Sequence, residues 1–133
     1  KLGSDRLVEL LLTVRARPKK YAFELRIDEH FTMPGSTAEQ AAETAVSRLL
    51  FAFEEAAQRG TQGDINELVC TFSNESGTGP SIKFAFLGAY SENVLRGAMD
   101  ELRTSLSRTV PGFDLADRYR ERSAEVILRL TVP

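Results

Sequence analysis

Residues 36–60 read STAEQAAETAVSRLLFAFEEAAQRG, and the spacing of their apolar side chains decides how the rest of the chain is read. Ser36 and Thr37 stand three residues before Glu39 and Gln40, two overlapping capping boxes that predict a helix start at one or the other. Ala38, Ala41, Ala42, Ala45, Val46, Leu49, Leu50, Phe53, Ala56 and Ala57 then recur at three- and four-residue steps. Glu39, Glu43, Ser47, Arg48, Glu54, Glu55 and Arg59 fill the other side. One apolar stripe and one wet face result, the pattern of a helix lying on a core. The early alanines permit close approach to a sheet, and the later leucines and phenylalanine supply bulk to bury. Gly60 after Arg59 fits a helix end.

Outward from this helix, most other segments show a period of two. Between Arg6 and Arg17, Val8, Leu10, Leu12 and Val14 alternate with Leu7, Glu9, Leu11, Thr13 and Arg15, which predicts a strand with one apolar face; a helix is the rival reading of so leucine-rich a run. Pro18-Lys19-Lys20 breaks the pattern, and Tyr21, Phe23, Leu25 and Ile27 resume it, so the two runs are expected to form an antiparallel hairpin. Met33-Pro34-Gly35 turns the chain into the helix. Glu67–Ser73 and Ser81–Leu87 read as strands joined by the turn NESGTGP. Ser91 and Glu92 open a second helix with Val94, Leu95, Ala98, Met99, Leu102 and Leu106 as its stripe, in which Gly97 suggests close packing on a neighbour. Pro111-Gly112 stops it. Phe113 to Arg122 reads as charged and irregular, with a short helical turn through Asp114 to Tyr119, and Ala124 to Val132 as the last strand.

The predicted order is therefore β-β-α-β-β-α-β. Without its first strand it is the ferredoxin-like α+β arrangement, a two-layer sandwich with a mainly antiparallel sheet and two helices on one face. Lys1 to Ser4 reads as linker and residues 5–133 as a single α+β domain, compatible with one cut from a longer protein.

Composition narrows the function classes. The 133 residues are 42% hydrophobic and 27% charged, enough for a core without metal or disulfide support. Seventeen basic residues against nineteen acidic ones leave a net charge of −2, so no global positive field draws the chain to nucleic acid or to an acidic membrane. No apolar run approaches the length of a bilayer crossing and no leader pattern opens the chain, which reads as cytoplasmic. One cysteine, Cys70, and one histidine, His30, exclude the usual Cys/His zinc clusters, and no cofactor motif stands in the sequence.

The candidates for chemistry are few. Asp28 and His30 point the same way on a strand, so the carboxylate is placed to orient the ring, but no nucleophile or third ligand accompanies them. Cys70 lies among apolar residues and reads as a buried structural thiol. Gly77-Thr78-Gly79-Pro80 lacks the lysine and the following helix of a phosphate loop and reads as a hairpin turn. These observations weigh against an enzyme, and no catalytic residue is assigned. The expected function is a protein-interaction or assembly domain, a homodimer formed through the N-terminal hairpin (Val8, Leu10, Leu12, Val14) or a sheet edge. The alternative is nucleic-acid binding by Arg15, Arg17, Lys19 and Lys20 at the hairpin tip with Arg118, Arg120 and Arg122. A third is a small-ligand or enzymatic site between sheet and helices near Asp28 and His30.

Overall fold

The computed structural model describes residues 9, 12, 21–28, 31, 36–58, 66–75, 79–109 and 113–130. Its regular elements are β1 (Ala22–Ile27), α1 (Ser36–Ala56), β2 (Glu67–Glu75), β3 (Gly79–Leu87), α2 (Glu92–Thr109), β4 (Phe113–Arg120) and β5 (Ser123–Leu130). They form an α+β domain with a mixed five-stranded sheet in the order β1-β2-β3-β5-β4. Strand β1 runs parallel to β2, with Leu25 opposite Cys70, while the β2/β3, β3/β5 and β4/β5 pairs are antiparallel. A parallel pair needs a crossover connection, and α1 provides it.

Three expectations are corrected here. Glu9 and Leu12, the described residues of the stretch read as a first strand, are helical, so the strand reading does not hold at those two positions. Val8, Leu10 and Val14 lie outside the described residues. Residues 113–120, read as irregular with a helical turn, are instead the edge strand β4. Among the described residues the order is β-α-β-β-α-β-β, and β1 pairs with β2 only, where a ferredoxin-like sheet would flank it on both sides.

The core lies between the sheet and one layer of two helices. Ala41, Ala42, Ala45, Val46, Leu49, Leu50, Phe53, Ala56 and Ala57 of the α1 stripe are all buried. From the sheet, alternate residues meet them: Leu68, Cys70 and Phe72 of β2, Ile82, Phe84 and Phe86 of β3, and Ala124, Val126 and Leu128 of β5. Phe53 stacks on Phe84 and Phe86 with ring centroids 6.0 and 5.8 Å apart, which fixes the height of α1 over the central strands. Phe31 is fully buried against the edge of Phe72 at 5.3 Å and anchors the chain between β1 and α1. On α2, Leu95, Met99, Leu102 and Leu106 are buried as the stripe requires, but Val94 is 40% exposed and Gly97 faces open space, so Gly97 marks no close packing.

Candidate functional site

The two helices leave a cleft between them on the side away from the sheet. It is about 450 Å³ in volume and open to solvent along its rim. Ala52, Met99 and Leu102 form its buried floor, with Ala98 partly covered beside them. The small side chains of Ala52 and Ala98 are what keep the groove from being filled. On the rim stand Ser47, Arg48, Phe51 and Glu55 from α1 and Glu101 from α2. Phe51 is 64% exposed, the most exposed of the large apolar side chains among the described residues.

A polar joint ties the end of α1 to the start of α2. Asn66, buried just before β2, donates through Nδ2 to Gln58 O at 2.6 Å and accepts from Ala89 N at Oδ1 at 3.1 Å. Its carbonyl accepts from Ala22 N at 2.8 Å, so one residue ties the start of β1, the end of α1 and the approach to α2. Gly88 makes this possible: it has φ +132°, and an added Cβ would sit 2.0 Å from Asn66 Oδ1. Main-chain bonds finish the joint, Ser91 N to Ala56 O at 2.8 Å and Gln58 N to Ala89 O at 2.9 Å. The end of α1 is thus stitched to the start of α2. Tyr90 adds the β4/β5 turn, its hydroxyl lying 2.5 Å from Arg120 O and 3.0 Å from Ser123 O.

A chain of charges then holds α2 along β4. Arg96 is bonded to Glu92 at 2.7 Å and lies over the Tyr119 ring at 4.3 Å. The Tyr119 hydroxyl donates to Asp117 Oδ2 at 2.6 Å, and Arg103 donates both to Asp117 Oδ1 and to Leu115 O. Burial alone pushes the Asp117 carboxyl up, but the hydrogen bonds from Tyr119 and Arg103, with the charges of Arg103 and Arg96, outweigh it and hold the group below the usual aspartate range. Tyr119 is raised well above an ordinary phenol, first by burial and then by the neighbouring Asp117 carboxylate.

The residues singled out from sequence are not gathered at this cleft. Asp28 is exposed just beyond β1, and His30 lies outside the described residues. Cys70 is fully buried on the helix-facing side of β2, where burial drives its thiol far above the ordinary range. Arg118 and Arg120 alternate with Asp117 and Tyr119, which puts them on the sheet face away from the helices, and Arg122 is in the β4/β5 turn. Arg15, Arg17, Lys19 and Lys20 lie outside the described residues. Sequence reasoning passed over the cleft because Ser47, Arg48 and Glu55 read as an ordinary wet face. The available signal was Phe51, two residues from Phe53 and therefore on nearly the opposite side of the helix from the core.

No protein-family model matches the chain, and no curated protein does either. Solved structures do share its fold. The Erythrobacter litoralis EL346 blue-light activated histidine kinase superposes with a TM-score of 0.61 at 15% identity, over 95% of this chain and 39% of that one. The histidine kinase domain from the same protein gives 0.61 at 14% identity, over 94% and 58%. A mycobacterial sensor histidine kinase, MprB, gives 0.55 at 10% identity, over 96% and 93%. The chain therefore shares its fold with these structures, and it spans less than two thirds of the first two chains' length. Among the described residues no group of three His, Cys, Asp or Glu is placed to hold a metal ion, and no helix is long and apolar enough to cross a membrane.

Proposed function

We propose that this chain is a binding domain which uses the architecture of histidine kinases to hold a partner segment in the α1–α2 cleft. The observation that carries the reading is the cleft itself, an apolar floor of Ala52, Met99 and Leu102 with Phe51 exposed on its rim. Such a groove takes an apolar side chain, and Phe51 covers it. The charges choose what flanks that side chain: Glu55 and Glu101 against Arg48 favour a basic neighbour. The partner is thus a peptide segment with an apolar anchor next to lysine or arginine.

The competing reading is nucleotide-dependent phosphoryl transfer, which the likeness to histidine kinases favours. A triphosphate needs concentrated positive charge, main-chain amides and a held divalent cation. Arg48 beside Glu55 and Glu101 does not offer that in this cleft. The two readings separate in one titration. A fluorescent peptide carrying leucine flanked by lysines is expected to bind, and Phe51→Ala to weaken it by about 2 kcal/mol, roughly thirtyfold in Kd. Magnesium–ATP is expected neither to bind nor to displace the peptide. Saturable ATP binding that shifts the cleft residues in an NMR spectrum, or transfer of its terminal phosphoryl group, would overturn the proposal.

A further inference from the structure

Strand β4 bounds one side of the sheet, and among the described residues it pairs with β5 alone. Asp114, Ala116, Arg118 and Arg120 are exposed on the face away from the helices, while Phe113, Asp117 and Tyr119 are half-buried on the helix side around the buried Leu115. An edge strand of eight residues offers a row of amide and carbonyl groups to a further strand. Leu115 O accepts from Arg103 at 3.2 Å, which still leaves one of that carbonyl's two acceptor positions. Beside the edge, Arg103, Thr104 and Ser107 of α2 and Phe113 and Leu115 of β4 line a shallow groove of about 410 Å³, wide open to solvent.

The order of charges along β4 selects the strand that fits. We infer that β4 pairs antiparallel with β4 of a second copy, with Ala116 on the two-fold axis. In that register Asp114 meets Arg118 of the other copy twice on the outer face, and Phe113 meets Tyr119 twice on the inner face, over the groove. Asp114 lies 3.5 Å from Arg129 of its own chain and its side chain is still 60% exposed, so it has room for a second cation. The neighbouring registers are worse. Moving the axis one residue toward the C-terminus sets Asp117 against itself, and two residues sets Arg118 against itself. One residue toward the N-terminus leaves Asp114 opposite Ala116 with no ion pair, and two sets Asp114 against itself. None of the cleft residues lies on β4, so this contact and the peptide reading are tested apart.

The test uses the full chain with Asp114→Lys and Arg118→Glu, made singly, and light scattering after size exclusion over a range of concentrations. Both positions are exposed, so circular dichroism on heating is expected to show each variant folded. The unaltered chain is expected to dimerise. In either single variant like charges meet twice across the axis, and the dissociation constant is expected to rise on the order of a hundredfold. An equimolar mixture of the two variants is expected to recover the dimer, because the introduced lysine then faces the introduced glutamate and the remaining Asp114 faces the remaining Arg118. Ala116→Cys reads the register without a change of charge. On mild oxidation it should link two copies faster than Arg120→Cys, which meets no copy of itself, and equal rates overturn the placement of Ala116 on the axis. A chain that is monomeric at every concentration, a dimer that both charge reversals leave unchanged, or a mixture no tighter than its components overturns the pairing.

Discussion

Gly88→Ala is expected to unfold this domain more readily than any single exposed substitution, and its size follows from the joint between the end of α1 and the start of α2. At φ +132° an L-residue is strained by about 1–3 kcal/mol. The new Cβ would also lie 2.0 Å from Asn66 Oδ1 and 2.7 Å from Asn66 Cγ, far inside any real contact, so the Asn66 side chain must leave. It then gives up its bonds to Gln58 O and Ala89 N, each contributing about 0.5–1.5 kcal/mol net. Together the loss is about 4 kcal/mol, a large share of the roughly 5–15 kcal/mol that holds a domain folded. In urea unfolding followed by circular dichroism, with a slope of about 2 kcal/mol per molar, the midpoint should fall by about 2 M. A double-mutant cycle isolates the cause. In an Asn66→Ala background the clash with the amide is gone, and Gly88→Ala should then cost about 1–3 kcal/mol of backbone strain plus the small shift that relieves the remaining 3.1 Å approach to the residue 66 Cα. Equal cost in both backgrounds would refute the contact between Gly88 and Asn66 as the reason.

Three further perturbations test other parts of the structure. Asp117→Asn should lower stability by about 1–2 kcal/mol at neutral pH, a figure discounted for the partial exposure of Arg103. The folded-state carboxyl titrates below the unfolded one, near 3.9, so this contribution is complete above the unfolded value and disappears as pH falls through the folded one; a wild-type advantage that persists unchanged at pH 2 would count against the pairing. Gly97→Ala should raise stability by about 0.5–1 kcal/mol, because a Cβ there meets nothing within 4 Å on an exposed helix face; a lower urea midpoint would mean that the backbone is constrained in some other way. Cys70 should react with an aromatic disulfide reagent only as the domain opens, since its thiol is fully buried and held protonated; immediate reaction in native buffer would contradict the placement of β2.

Which parts of this fold were legible depended on whether core-facing positions were apolar. Helix α1 and strands β2, β3 and β5 read as such, and the stripe from Ala41 to Ala57 is buried as named, though Ala52 of α1 and Ser81 of β3 are buried outside any named pattern. Strand β4 was hidden by one residue. Phe113, Leu115, Asp117 and Tyr119 alternate toward α2 as a strand should, but Asp117 puts a carboxylate on the inner side and the segment reads as irregular. The charge is tolerated there because Arg103 comes across from α2 and Tyr119 donates to it, a pairing between residues 14 apart that local inspection does not reveal. Leucine misled in the other direction at Leu12, where a two-residue alternation coincided with a residue that favours helix. Strand order was beyond local reading altogether, because nothing in β1 states that it will pair parallel with β2 and not with a preceding segment.

The same joints bear on how the cleft works. The end of α1 is bonded to the start of α2 through Ala56, Gln58, Ala89 and Ser91, and α2 is bonded along β4 through Arg103 and Asp117. Both walls are thus fixed to the sheet, α1 by the stacking of Phe53 on Phe84 and Phe86. A groove whose walls are held in this way is preformed, so a partner that enters it orders little of the protein and keeps most of the contact energy as affinity. On the proposed reading, selectivity would fall on the rim groups, with Phe51 asking for an apolar anchor and Glu55 and Glu101 for a basic neighbour. Exchanging Glu101 for lysine should accordingly leave the fold and the apolar contact in place while shifting preference toward acidic flanks, and a peptide series differing only in flank charge would read that reversal directly.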